Sequence, residues 1–252
     1  MTDGAMSQDE IDALLAGVDI AASQSAGKTS GGTQLLSKEE IDDLLKAVNA
    51  AEKKEQEASG FNDRPNLFTK EHIRGISIIH EKFALMAKKS LSDHLRTQVG
   101  LSVASVDQIF MGEFNRCIPV PSALGVVNME PLKGSVVIEL DPSLACAAIK
   151  KLIGVNREPN SQWYEMAEIE KKIIISIFNC LMKCLRESWL EIIDVKPRLE
   201  KVEPDPNFIR SIPLSEWIAL VTIETRVWDV QSMINICIPH TVIAPVLDKF
   251  AG

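Results

Sequence analysis

Two stretches of the chain decide its architecture: V-V-I-E-L-D-P, Val136–Pro142, and M-I-N-I-C-I-P, Met233–Pro239. Each is a short apolar run that ends on a proline, and they lie 97 residues apart. A short apolar run bounded by a turn signal reads as a buried strand. A proline suits the first position of a helix, where its missing N–H is no loss and its fixed φ is already helical. Each stretch is therefore a strand feeding a helix.

Working outward, Pro131-Leu132-Lys133-Gly134 reads as the turn before the first of these strands. The pattern predicts strands at 101–110, 123–129 and 134–140, then a helix from Asp141-Pro142 through Ile153. Ahead of them Thr69 is placed to cap a long helix running to Gln98, with Ile73, Ile76, Ile79, Phe83, Met86, Ala87, Leu91 and Leu95 along one side. The order then repeats: a long helix over 165–193, strands at 195–203, 217–226 and 230–237, and a helix from Pro239 to Phe250. The shift of 97 that carries Pro142 onto Pro239 also carries the end of the first long helix, near Gln98, onto that of the second, near Asp194. One shift fitting both ends is the mark of an internal duplication. The expected fold is a pseudo-two-fold duplicated α/β domain, its strands joined into one or two sheets between helix layers. Its halves cover about 69–155 and 163–251.

The remaining sequence is of another kind. Residues 1–60 hold twelve Asp/Glu against five Lys, so almost all of the net charge of −8 sits there and 61–252 is close to neutral. A balance of this sign carries no nucleic-acid footprint. Residues 19–36 are rich in Gly, Ser, Thr and Ala, and 49–66 are polar and charged. Both read as linkers, with little apolar surface to offset the entropy of ordering, so 1–65 is expected to be a disordered segment. Within it the chain says one thing twice: S-Q-D-E-I-D-A-L-L-A-G-V, Ser7–Val18, and S-K-E-E-I-D-D-L-L-K-A-V, Ser37–Val48. Ser7 with Glu10, and Ser37 with Glu40, have capping-box spacing. Ile11, Leu14, Leu15 and Val18 fall on one helical face, and Ile41, Leu44, Leu45 and Val48 repeat it. Helices of about twelve residues are marginal alone in water, and a tethered amphipathic helix of this kind suits docking into a partner's groove. The bland reading is that both pack on their own domain. Repetition of the polar face together with the apolar one favours an external partner.

These residues resemble the family of the bacterial flagellar motor switch protein FliM. S-Q-D-E-I-D-A-L-L is similar to its N-terminal motif. I-H-E-K-F-A (79–84), M-E-P-L-K-G (129–134), E-I-E-K (168–171), K-P-R-L-E (196–200), M-I-N-I-C-I-P (233–239) and P-V-L-D-K (245–249) follow in the family's order. The resemblance implies a helix that binds the phosphorylated response regulator CheY, and a middle domain, 66–252, in a ring at the cytoplasmic face of the inner membrane, in the flagellar basal body. There it would meet FliG and neighbouring copies of itself. Carried onto this chain, the regulator-binding residues are Glu10, Ile11, Asp12, Leu14 and Leu15. Glu40, Ile41, Asp42, Leu44 and Leu45 match the same motif and define a second regulator site. The family's glycine-rich FliG-contact loop falls on Gly154, Val155, Asn156, Arg157 and Pro159. Val155 and Arg157 stand where glycines are expected and resist the backbone angles that glycine permits, so that contact is built differently here. The family continues into a small domain that binds FliN-type proteins. This chain ends at Gly252, so such partners are expected only if that domain exists.

Catalysis is not indicated. The alternative, a CheC- or FliY-like CheY phosphatase, shares this pseudo-symmetric architecture but requires Glu-x-x-Asn on a long helix. Here Asn179 is preceded three residues earlier by Ser176, and the matching positions in the first helix are Ile79 and Lys82. A purely structural ring scaffold, with the N-terminal helices binding other subunits, is the remaining alternative. His72, His80, His94 and His240 show no metal spacing with Cys117, Cys146, Cys180, Cys184 and Cys237, so neither metal nor cofactor is expected. The cysteines form no C-x-x-C pair and fit a reducing cytoplasm. Cys180 and Cys184, at i and i+4, read as core. Trp189, Trp217 and Trp228 are expected to fill the second half's core, and Trp163, beside Tyr164, to be a contact residue. No apolar run is long enough to span a bilayer, so no direct membrane insertion is expected.

Overall fold

The computed structural model describes residues 67–154 and 167–251. Helix α1 spans Lys70–Leu95. Thr69 caps it as expected: its hydroxyl accepts from the His72 amide, and His72 Nδ1 accepts from the Thr69 amide, both at 3.2 Å. Strand β1 (Val99–Phe110) runs into a helix the sequence reading lacked, α2 (Met111–Cys117). Then come β2 (Ala123–Glu130), β3 (Ser135–Leu140) and α3 (Pro142–Ile153), the last with Asp141 as N-cap and Gly154 as left-handed C-cap, φ +86°. The second half has α4 (Glu168–Trp189), β4 (Lys196–Glu203), β5 (Trp217–Val227) and β6 (Val230–Pro239).

The final helix departs from expectation. It begins after Pro239, but only His240–Ile243 (α5) is α-helical, and Ala244–Phe250 continues as a 3₁₀ run. Pro245 has no N–H to give the Thr241 carbonyl, so the α ladder breaks there.

All six strands join one antiparallel sheet in the order β1-β5-β6-β3-β2-β4. Read by halves, this order is a palindrome whose centre is the β3–β6 pair. The first strand of each half crosses over to pair with the second strand of the other. Both of these outer pairings shift register once, at Val103/Ser105 and at Val126/Val127, so the duplication extends to the irregularities. The two long helices run antiparallel, tied by Lys82–Glu191 (2.5 Å), Ser90–Cys180 (2.9 Å) and His94–Ser176 (3.0 Å).

The sheet lies between two covering layers, as expected, and they are unequal. α1, α3, α4 and the C-terminal turns all bury their apolar faces against one side of the sheet, with Ile138, Ala219, Val221 and Ile236. The other side carries a smaller core in which α2 (Met111, Phe114) and the 204–216 segment (Ile209, Ile212) cover Leu124, Val126, Val137, Ile218 and Cys237. Trp189 is fully buried and Trp217 nearly so, stacked on Phe110 at 3.8 Å. Trp228 is not core. It sits half-buried at the β5–β6 turn with φ +55°, because that hairpin reverses between Val227 and Val230 and leaves its tip outside the sheet.

Gly75 shows how closely α1 meets the C-terminal turn: a Cβ there would lie 2.0 Å from the Phe250 carbonyl oxygen. Gly75→Ala gains roughly 1 kcal/mol of helix propensity but forces backbone apart. Overpacking of this kind outweighs that gain, for a net loss of about 1–2 kcal/mol in urea denaturation.

Candidate functional site

The expected regulator-binding residues, Glu10, Ile11, Asp12, Leu14 and Leu15 with Glu40, Ile41, Asp42, Leu44 and Leu45, lie outside the described residues, as do Trp163 and Tyr164. Of the FliG-contact loop, Gly154 is described, and Val155, Asn156, Arg157 and Pro159 are not. Gly154 closes α3, its N–H bonded to the Lys151 carbonyl at 3.2 Å, and a Cβ there would meet nothing within 4 Å. One turn earlier, the Lys151 ammonium lies 4.9 Å from the centre of the Trp228 ring. A cation over an aromatic face is attracted by about 0.5–2 kcal/mol, so the β5–β6 tip braces the end of α3 from which the loop departs.

Beside this tip a cleft of about 1420 Å³ opens between the start of β1 and the β5–β6 hairpin. It is lined by charges of both signs, Lys88 and Arg226 against Asp141, Glu224 and Asp229. That mixed lining selects no anion or cation.

The long helices carry no acid–amide pair at the phosphatase positions. The Ser176 hydroxyl donates to the Ile173 carbonyl at 2.7 Å and meets His94 Nε2. Asn179 is exposed, Ile79 is buried, and Lys82 is paired with Glu191. Among the described residues no group of three His, Cys, Asp or Glu is placed to hold a metal ion. Cys146, Cys184 and Cys237 are buried, Cys180 is half-buried against Ser90, and Cys117 is exposed. No described helix is long and apolar enough to cross a membrane.

Two buried titratable groups stand out, and neither was singled out from the sequence. His80, fully buried in α1, donates from Nδ1 to the Ile76 carbonyl at 2.8 Å. Desolvation lowers its pKa to about 4, so the ring is neutral. Glu139, 1% exposed in β3, accepts from Ser122 Oγ at 2.7 Å and from Asn235 Nδ2 at 2.9 Å. Burial pushes its pKa up to about 7, against those two hydrogen bonds and with help from the charge of Asp141. The sequence signal for Glu139 was a carboxylate inside the otherwise apolar run V-V-I-E-L.

A palindromic six-strand sheet with two long antiparallel helices on one face defines a duplicated α/β class, and a protein called FliY shares this fold. The crystal structure of Thermotoga maritima FliY superposes with a TM-score of 0.63 over 73% of this chain and 97% of its own, at 19% identity, a likeness of fold. The chain belongs to the FliM family: the family model described as flagellar motor switch protein FliM matches residues 69–252. FliM of Treponema pallidum is 38% identical over 230 residues, 87% of this chain and 67% of its own length. A chain in the crystal structure of a FliG–FliM complex from H. pylori is 28% identical, with a TM-score of 0.66 over 71% of this chain and 99% of that one.

Proposed function

We propose that this flagellar motor switch protein works without catalysis. Its two N-terminal helices, 7–18 and 37–48, capture phosphorylated CheY, and the domain over 66–252 passes the signal to FliG within a ring of neighbouring copies at the cytoplasmic face of the basal body. The observation that carries the reading is the repeated S-x-x-E-I-D-x-L-L stretch, at Ser7 and again at Ser37, ahead of a domain of the FliM family. The likeness to the chain in the H. pylori FliG–FliM complex supports the FliG end of the relay.

A flexible linker as long as 19–36 has an r.m.s. span of about 23 Å, from roughly 5–6 Å times the square root of its length. A regulator released from one helix is therefore held near the other. Acidic tails also speed encounter with a basic face, in a salt-dependent way. A signal reaches FliG only if CheY and FliG binding are coupled, and such coupling is reciprocal.

The test is FliG affinity for the whole chain, measured alone, with CheY and with phosphorylated CheY. The expected result is a change of about 5–150-fold with phosphorylated CheY and little with the unphosphorylated form. Phosphorylated CheY that binds the chain and leaves FliG affinity unchanged contradicts the relay and favours a purely structural scaffold.

A further inference from the structure

On the thinly covered side of the sheet, Glu139 lies beside the seam between the two halves. Its cross-strand neighbours are Leu124 on β2 and Asn235 on β6. Ser122, itself fully buried, has two acceptors within reach of one hydroxyl: Glu139 Oε1 at 2.7 Å and the Leu140 carbonyl at 3.3 Å. This geometry satisfies both protonation states. Ionised, Glu139 accepts hydrogen bonds from the Ser122 hydroxyl and the Asn235 amide. Protonated, it donates from Oε1 to Ser122 Oγ, and the serine hydroxyl turns to Leu140. The same Ser122 gives its backbone N–H to the Pro204 carbonyl at 2.8 Å, where the 204–216 cover begins. The cover's other end is held by the Met111 and Gly112 amides, which donate to the Glu216 and Leu214 carbonyls at 2.9 Å.

We propose that Glu139 is a proton-operated latch, which through Ser122 sets how firmly the sheet holds the 204–216 cover.

Among the described residues no cation balances the anion. Asp141, at the end of the same strand, is repulsive, and on β6 the neighbouring titratable group is Cys237, whose thiol burial pushes up, with Glu139 adding to it. On the far side of β2, Glu203 is paired with Lys201 at 2.8 Å, and on β5 Glu224 is exposed. In α2, Glu113 accepts from the Phe110 amide and Arg116 donates to the Gly112 carbonyl. In the cover, Asp205 caps Asn207, Glu216 accepts from the Thr241 amide, and Arg210 is exposed. The ionised carboxylate therefore rests on two neutral donors, and opening the cover gives it water. Its folded pKa lies above the ordinary value of 4.5, so the closed state is favoured by the proton and is lost as pH rises through about 7. The cover carries Phe208 and Leu214, 52% and 61% exposed, so the latch governs an apolar surface.

The test is amide hydrogen exchange on the whole chain, read as protection factors at Ser122, Met111 and Gly112. Linkage between an open-state pKa of 4.5 and a closed-state pKa of about 7 gives a drop of about tenfold from pH 6 to pH 8. Amides of α4 should show no such drop, and Glu139→Gln should abolish it. Ser122→Ala, which removes the hydroxyl donor, should move the drop to higher pH. If Glu139→Gln does not fold, the Glu139 carboxyl carbon in the unsubstituted chain should still titrate near pH 7. A flat profile in the unsubstituted chain, an equal drop in Glu139→Gln, or a carboxyl titrating near 4.5 overturns the latch.

Discussion

Between pH 5 and pH 8, Glu139→Gln gains about 2.5 kcal/mol of unfolding free energy relative to the unsubstituted chain. Glu139 has a folded pKa raised from 4.5 to about 7, so its stabilising contribution is full below 4.5 and is lost as pH rises to 7. His80 acts in the opposite sense. Its folded pKa is lowered from 6.5 to about 4, so its contribution is full above 6.5 and is lost as pH falls. Over this range the histidine supplies a rise of about 2 kcal/mol and the carboxylate a fall of about 2.5. In the unsubstituted chain the two nearly cancel and stability is almost level. Glutamine can accept from Asn235 through its one amide oxygen and donate from its amide nitrogen to Ser122 Oγ, whose hydroxyl turns to the Leu140 carbonyl; it never ionises, so its variant shows the histidine's slope alone. Urea denaturation of both proteins at pH 5, 6, 7 and 8 reads the difference directly. Parallel profiles would mean that Glu139 titrates at an ordinary pKa.

Much of the fold was legible because its signals are local. Asp141-Pro142 and Gly154 mark both ends of α3, and that helix is found over the expected residues. The repeat of 97 also carries over: β2 and β3 correspond to β5 and β6, and α3 to the C-terminal turns. What was not legible depends on partners distant in sequence. Strands β1 and β4 read as strands, but nothing within them says that each crosses to the other half. Placing every long helix on one face is likewise a tertiary choice, since α2 is too short to announce itself. Pro245 was a local signal against an unbroken last helix, and the apolar residues around it masked it. Trp228 misled because composition assigns tryptophan to a core, whereas its position at a two-residue reversal puts it at a tip. The regulator and FliG contacts were read from motifs, and apart from Gly154 they lie outside the described residues.

Leu14 and Leu15 replaced together by alanine should weaken regulator binding at the first helix by about 10² to 10⁴. Full burial of a leucine in a groove contributes roughly 1.5–3 kcal/mol, so the pair accounts for about 3–6. Folding a short segment on binding costs about 2–5 kcal/mol of the gross interaction. Little surplus remains once two anchors are lost, and the helix should then fail to hold the regulator at all. Leu44 and Leu45 stand at the same places in the second copy and should behave alike. Each double substitution should therefore remove one site and spare the other. Phosphorylation acts only through a difference in affinity between the regulator's two states, so both sites should share the same preference.

Titration calorimetry of phosphorylated CheY on the whole chain gives the number of regulators that the two repeated motifs hold. Two CheY should bind per chain, one after either double substitution and none after all four, with markedly weaker binding without phosphorylation. A single CheY lost with Leu14 and Leu15 alone contradicts the second site. Binding that ignores both leucine pairs, or ignores phosphorylation, contradicts the account as a whole.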